Sequence, residues 1–253
     1  MANANNYIKD VLKDVLKHTH GLGIFEMVKM TGTVDGTEIE TVDPDKTVIL
    51  KGVTVNPVPD FVDATVGLSR MGVLQGYLQY PGFDDADATV KIDTQERNGE
   101  TIPVEVSFEA QDGNDAHYRF MLSDVINQQL KEIKFKGAEF DINIVPTAKN
   151  LKDLGYFNSV LGSFEANFSP KTNGTDLFFH IGDGVSDRTK IHVSNTIEGS
   201  ITRDWRWPLD IVLKILRLGD NATCVMSIND QGLLQIKVDS GLGVYTYLLP
   251  AKS

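Results

Sequence analysis

Three lysines spaced by four, Lys9, Lys13 and Lys17, stand near the start of the sequence. Two pairs spaced by three, Lys149 with Lys152 and Lys214 with Arg217, recur far downstream. Spacings of three and four put side chains on one face of a helix. With Arg70, these cations suit a polyanion met at several points along a line, the chemistry of phosphate-backbone binding by counterion release. Signatures of other chemistries are missing. There is no G-x-x-x-x-G-K-[ST] loop, no G-x-S-x-G elbow, no H-E-x-x-H and no Cys-x-x-Cys. His18 and His20 fall at the end of a helical stretch, where a cation suits the helix dipole. The acidic turns FDDAD (83–87) and HIGDGVSD (180–187) lack EF-hand spacing. Cys224 lies alone in an alternating apolar run and reads as a buried, inert thiol. The expectation is therefore no catalytic residue, no metal, no cofactor, and a protein that is not an enzyme.

Four stretches have the helical period. The first, about 7–18, carries the stripe Ile8, Val11, Leu12, Val15 and Leu16. The second, about 69–79, has Val73, Leu74, Tyr77 and Leu78 apolar and Ser69 as N-cap. The third, about 147–161, has Leu151, Leu154, Phe157, Val160 and Leu161, with Thr147 as cap just after Pro146. The fourth, about 208–218, has Pro208 in its first turn and Gly219 as its stop. Most of the remainder alternates with period two. The first two helices begin about 62 residues apart and the last two about 61 apart. After the second comes DADATVKID (85–93); after the fourth comes DNATCVMSIND (220–230). Each opens a run of alternating strands, VEVSFEAQ and HYRFML in one half, LLQIKVD and VYTYLLP in the other. A long-period repeat of this kind sets the fold: α+β, two tandem repeats of an antiparallel sheet with two helices on one face. The boundaries read as domain 1 over 1–122, a partly extended connector over 123–137, and domain 2 over 138–253.

The formal charge of −11 taken whole argues against nucleic acid or an anionic membrane as partner. The charge is unevenly spread, however. The four helical stretches hold eight bases against four acids, a net of +4, whereas the other 16 bases and 31 acids give −15. A basic bias in all four helices of an acidic chain marks a surface able to lie along phosphates without reading bases. The N-terminus has no apolar core of a secretory leader, and no apolar run approaches the roughly 20 residues of a membrane span.

The two β-rich halves, the long connector and the ending VYTYLLPAK together resemble the DNA sliding clamps. That family includes proliferating cell nuclear antigen and the clamp of T-even-type bacteriophages. The likeness is carried locally by NATCVMSINDQGLLQIKVDSGLGVYTYLLPAK (221–252) and HYRFMLSDVINQQL (117–130), and KMTGTVDGTEIETV (29–42) is similar to the phage branch. The resemblance implies a homotrimeric, ring-forming polymerase processivity factor for DNA replication that encircles duplex DNA without sequence preference. Basic helices would line the hole, so Lys9, Lys13, Lys17, Arg70, Lys149, Lys152, Lys214 and Arg217 would face DNA. Strand 115–122 would pair with strand 187–193 of a neighbouring subunit. It further implies an outer pocket for the C-terminal peptide of a DNA polymerase, walled by Tyr247, Leu248, Leu249 and Pro250. Leu130, Ile133 and Phe135 of the connector would form the opposite side and Leu233 the floor. Packing of Tyr247 and Leu248 into the core is an equally good reading of those two residues. A separate clamp loader would open the ring. Location would be cytoplasmic, in the host cytoplasm for a phage protein, with no membrane partner. The alternative reading is a ring-forming β-rich viral structural protein of a tail or baseplate.

Overall fold

The computed structural model describes the backbone of residues 4–97, 99–131, 137–219 and 224–252. The chain divides into two compact units. One comprises Met1–Lys46, Leu50–Lys134 and Gly241–Tyr245; the other comprises Thr47–Ile49, Phe135–Ser240 and Thr246–Ser253. The first contains helix α1 (Ala4–His18), strands β1 (Val28–Gly32), β2 (Thr37–Val42), β3 (Ile49–Thr54) and β4 (Thr65–Leu68), and helices α2 (Met71–Gln79) and α3 (Pro81–Asp84). It continues with β5 (Thr89–Arg97), β6 (Glu100–Glu109), β7 (Asp115–Arg119) and helix α4 (Ser123–Gln129). The second contains β8 (Ile142–Ile144), α5 (Ala148–Leu161), β9 (Asn167–Asn173), β10 (Asp176–Ile181), β11 (Thr189–Ser194) and β12 (Trp207–Pro208). It ends with α6 (Leu209–Leu216), β13 (Cys224–Ile228), β14 (Leu233–Asp239) and, from Thr246 on, β15 (Gly243–Pro250).

The repeat is a repeat of topology. In the first unit the four strands after α1 lie in the order β4-β1-β2-β3; in the second, the four after α5 lie as β12-β9-β10-β11. Both are the Greek-key order, in which the fourth strand returns beside the first. After the second helix of each unit comes a meander, β5-β6-β7 or β13-β14-β15, and β8 adds to the outside of β13. The α+β reading and the two-fold repeat therefore hold. Gly32 permits the first return, because a β-carbon there would lie 1.9 Å from the Phe61 carbonyl oxygen. The backbone instead bonds directly, Gly32 N–H to Ala64 O at 2.9 Å and Asp63 N–H to Gly32 O at 3.1 Å.

Each helix pair packs on its own unit: α1 against α2 and β5, α5 against α6 and β11. The α1 stripe of Ile8, Val11, Leu12, Val15 and Leu16 is buried, as are Leu209, Val212, Leu213, Ile215 and Leu216 of α6. Full burial of each such side chain is worth about 1.5–3 kcal/mol, so these stripes fix how the helices are rotated. Below them, Val90, Val106, Phe108 and Tyr118 fill the first unit, and Phe168, Phe179, Ile181 and Trp207 the second. Cys224 is buried, and that burial pushes its thiol up to about 11, as its apolar run implies.

Several local expectations change. Residues 123–129 form α4 rather than extended connector, with Ile126 buried. Ser69 does not cap α2: Arg70 holds the N-cap position in the left-handed region (φ 51°) without a side-chain cap bond. The Ser69 carbonyl accepts a hydrogen bond from the Tyr118 hydroxyl instead. The buried face of α2 is Met71, Leu74 and Leu78, with Val73 exposed. In α6, Pro208 stands at the N-cap and the helix ends at Arg217, before Gly219. In α5 only Asn150 and Leu154 are fully buried, and Val160 is exposed. Thr147 does cap α5, reciprocally: its Oγ1 accepts from Asn150 N–H at 3.1 Å and its own N–H donates to Asn150 Oδ1 at 2.9 Å. Thr147→Ala removes one half of this box, and a loss of about 1 kcal/mol in unfolding free energy is expected from urea denaturation.

Candidate nucleic-acid interface

The eight cations divide by unit and by freedom. Lys9, Lys13 and Lys17 lie along α1, and Arg70 heads α2. Lys149 and Lys152 lie on α5; Lys214 is in the last turn of α6 and Arg217 caps it. Arg217 lies across α5, where a β-carbon on Gly155 would come within 2.8 Å of its Nη2. Lys17, Arg70, Lys152 and Arg217 are exposed. The other four have carboxylate partners. Lys149 pairs with Asp153, and Lys214 Nζ lies 2.9 Å from Asp210 Oδ2. Lys13 donates to Asp84 Oδ1. Lys9 is 6 % exposed; it donates to the carbonyls of Asp84 (3.1 Å) and Asp85 (3.4 Å) and lies 3.7 Å from Asp84 Oδ1. The hydrogen bond from Lys13 holds the Asp84 carboxyl below the usual carboxylate range, against an opposing effect of burial. Asp84 was not among the residues the helical spacing brought forward, because it lies beyond α2 on α3. Tyr156, one turn on from Lys152 and 65 % exposed, is a second addition to this surface.

The residues expected to wall a peptide pocket are placed as follows. Tyr247, Leu248 and Leu249 are buried on β15, and Pro250 is exposed. The Leu249 carbonyl accepts the Trp207 indole N–H at 2.8 Å, and Ala251 N–H donates to Gly232 O at 2.8 Å. Leu233, half-buried, opens β14 beside β15. These belong to the second unit. Leu130, buried just after α4, belongs to the first. Ile133 and Phe135 lie outside the described residues. The chain's last strand is thus tied down by core packing and by backbone bonds.

Among the strands at sheet edges are β7 in the first unit and β11 in the second. Their outward faces differ in charge. Around β7 stand Asp93, Glu105, Glu109 and Asp115, offset by Lys91, His117 and Arg119. On β11, Lys190 and His192 are exposed, and Arg188 precedes them. Asp93, Glu105 and His117 bring three potential ligand atoms within 4.8 Å of one another. Glu105 is already engaged within the chain, with His117 Nδ1 and Arg119 Nε each 3.2 Å from its carboxylate oxygens. A polar cleft lined by Ser169, Lys171, His180, Arg188 and Asp204 is likewise internally paired, since Asp204 Oδ1 accepts from both Ser169 and Lys171 at 2.8 Å.

Paired basic helices, twin Greek keys and open edge strands define one class of architecture, the sliding-clamp fold. Solved structures of that fold align with nearly the whole chain. The A. fulgidus PCNA, solved with the C-terminal region of FEN-1 bound, is 11 % identical over 97 % of this chain and 96 % of its own, with a TM-score of 0.69. PCNA from Thermococcus kodakaraensis is 14 % identical over 100 % and 98 % (TM-score 0.66). Proliferating Cellular Nuclear Antigen from Entamoeba histolytica is 14 % identical over 97 % and 95 % (TM-score 0.66). No protein-family model and no curated protein sequence matches the chain. The likeness is one of fold. In the second unit, Leu249→Ala is expected to cost about 2–5 kcal/mol of stability by urea denaturation, whereas Pro250→Ala stays within about 0.5 kcal/mol.

Proposed function

We propose that the chain is a sliding clamp for DNA replication, a homotrimeric ring that encircles duplex DNA and tethers the replicative polymerase for processive synthesis. The observation that carries this reading is the coincidence of the clamp fold with basic helix pairs in an otherwise acidic chain. Of the eight expected cations Lys9 is buried and drops out, and Lys13, Lys17, Arg70, Lys149, Lys152, Lys214 and Arg217 are proposed as the DNA-facing set, with Lys17, Arg70, Lys152 and Arg217 making the direct phosphate contacts because they alone of the eight lack a carboxylate partner among the described residues. The function would be encirclement without chemistry, so no cofactor or metal enters it. Domain 1 (1–122), connector (123–137) and domain 2 (138–253) remain the proposed division, with α4 now inside the connector.

Closure would join edge strand β7 of one subunit to edge strand β11 of the next. The acidic bias around β7 and the basic side chains of β11 suit that pairing, and pairing disposes of two exposed edges at once. Partner peptides, including a polymerase C-terminus, would dock against the segment that includes Pro250 and the connector residues Leu130, Ile133 and Phe135, with Leu233, Tyr247, Leu248 and Leu249 supporting it. That the A. fulgidus structure contains a bound FEN-1 C-terminal region supports this part. A clamp loader would open the ring. The phage branch and a host-cytoplasmic location remain part of the proposal, on the sequence resemblance. No structural observation favours the tail or baseplate alternative.

Light scattering over a concentration series tests the ring. The expected mass is about three times 27.9 kDa, falling on dilution and at raised salt as the charged edges are screened. A strict monomer at high concentration overturns the proposal. Primer extension with a polymerase and loader should then lose processivity in Lys17→Glu with Lys152→Glu, while the mass stays unchanged.

A further inference from the structure

Asp84 holds two of the three α1 lysines. Its Oδ1 accepts from Lys13 and lies 3.7 Å from Lys9 Nζ, while its main-chain carbonyl accepts from Lys9 at 3.1 Å. The pairs Lys149–Asp153 and Lys214–Asp210 are neighbours on one helix, four residues apart, which is the commonest surface arrangement. Asp84 is 71 residues from Lys13 and 75 from Lys9, on a separate element. That element is firmly placed. Pro81 begins α3, and Phe83, 5 % exposed, sits among the rings of Tyr77, Tyr80 and Phe108. The carboxylate is thereby presented to α1 by a packed aromatic cluster, and the side chain itself stays half exposed.

Resting on the clamp reading, we infer that Asp84 is a positioning residue that restrains Lys13 and Lys9 and so limits the grip of α1 on the phosphate backbone. A phosphate approaching Lys13 must displace a carboxylate already in contact with it, so the pair presents little net charge. Affinity for duplex DNA grows with each phosphate neutralised, and a ring that slides needs that number kept small. Lys9 is held out of reach altogether by its buried course and its carbonyl bonds. Of the three α1 lysines, only Lys17 is left to meet phosphate directly. The restraint operates throughout neutral pH, because Asp84 is charged there.

The test measures binding of a fluorescently labelled short linear duplex to the full-length protein by anisotropy over a salt series. Asp84→Asn is expected to bind about three- to tenfold tighter near physiological salt, with log K falling more steeply against log salt by about one. Lys13→Gln in the Asp84→Asn background should restore the wild-type slope. Thermal melting checks that each variant is folded. An unchanged slope in folded Asp84→Asn overturns the inference, as does a steeper slope that persists in the double variant. Asp84→Ser serves the same comparison if Asp84→Asn fails to fold. Wild-type protein with no salt-dependent binding of the duplex would instead remove the clamp reading itself.

Discussion

The rotation of the helices about their own axes governs everything else on this surface. On α1, Val11, Leu12, Val15 and Leu16 are all at most 5 % exposed. Turning the helix to free another lysine would lift part of this stripe into water, at about 1.5–3 kcal/mol for each side chain fully exposed. The sheet beneath thus sets the helix, and the helix sets the cations. Lys17 falls clear of the stripe, Lys13 falls beside it, and Lys9 falls at its margin and is carried inside. A lysine buried that far must have its charge met. The Asp84 and Asp85 carbonyls and the Asp84 carboxylate meet it. In α6 the same constraint buries Leu209, Val212, Leu213, Ile215 and Leu216 and leaves Asp210, Lys214 and Arg217 outside.

The two units reach one topology with little residue-level similarity. The Greek-key order recurs, yet the first return passes over Gly32 while the second is a two-residue strand, Trp207–Pro208, whose indole is bonded to Leu249. The helix pairs differ as well. In α1 the basic residues are checked from another element; in α5 and α6 they are checked from within the helix, and Tyr156 adds an aromatic surface beside Lys152. The edge strands β7 and β11 are likewise unequal, with Glu105, Glu109 and Asp115 at β7 and an exposed Lys190 on β11.

Periodicity made the four long helices and most strands readable, because a stripe at 3.6 and an alternation at 2 each encode which face is buried. It could not say which strand lies beside which, so the 4-1-2-3 order was invisible until the chain was folded. The helix α4 was missed for a physical reason: it buries little beyond Ile126 and has no stripe to detect. Arg70 replaced Ser69 at the head of α2 through a left-handed backbone, which residue type alone does not announce in an arginine. The cations themselves were legible from spacing. Their partners within a helix, Asp153 and Asp210, were visible in the sequence, but Asp84 was not, since nothing local links residue 84 to residues 9 and 13.

The acidity of the chain poses less of a problem for DNA than its net charge suggests. Exposed charges are screened over about 8 Å at physiological ionic strength, so the 31 acids outside the helical stretches count against a duplex only where they come that close. Those carried on outer sheet faces would act mainly on solubility and on wrong partners. A carboxylate in direct contact with a lysine lies well inside that distance and offsets its charge locally. An aspartate in contact with Lys13 therefore bears on that lysine more directly than acids farther away, and the −11 of the chain does not by itself keep the basic helices from phosphate.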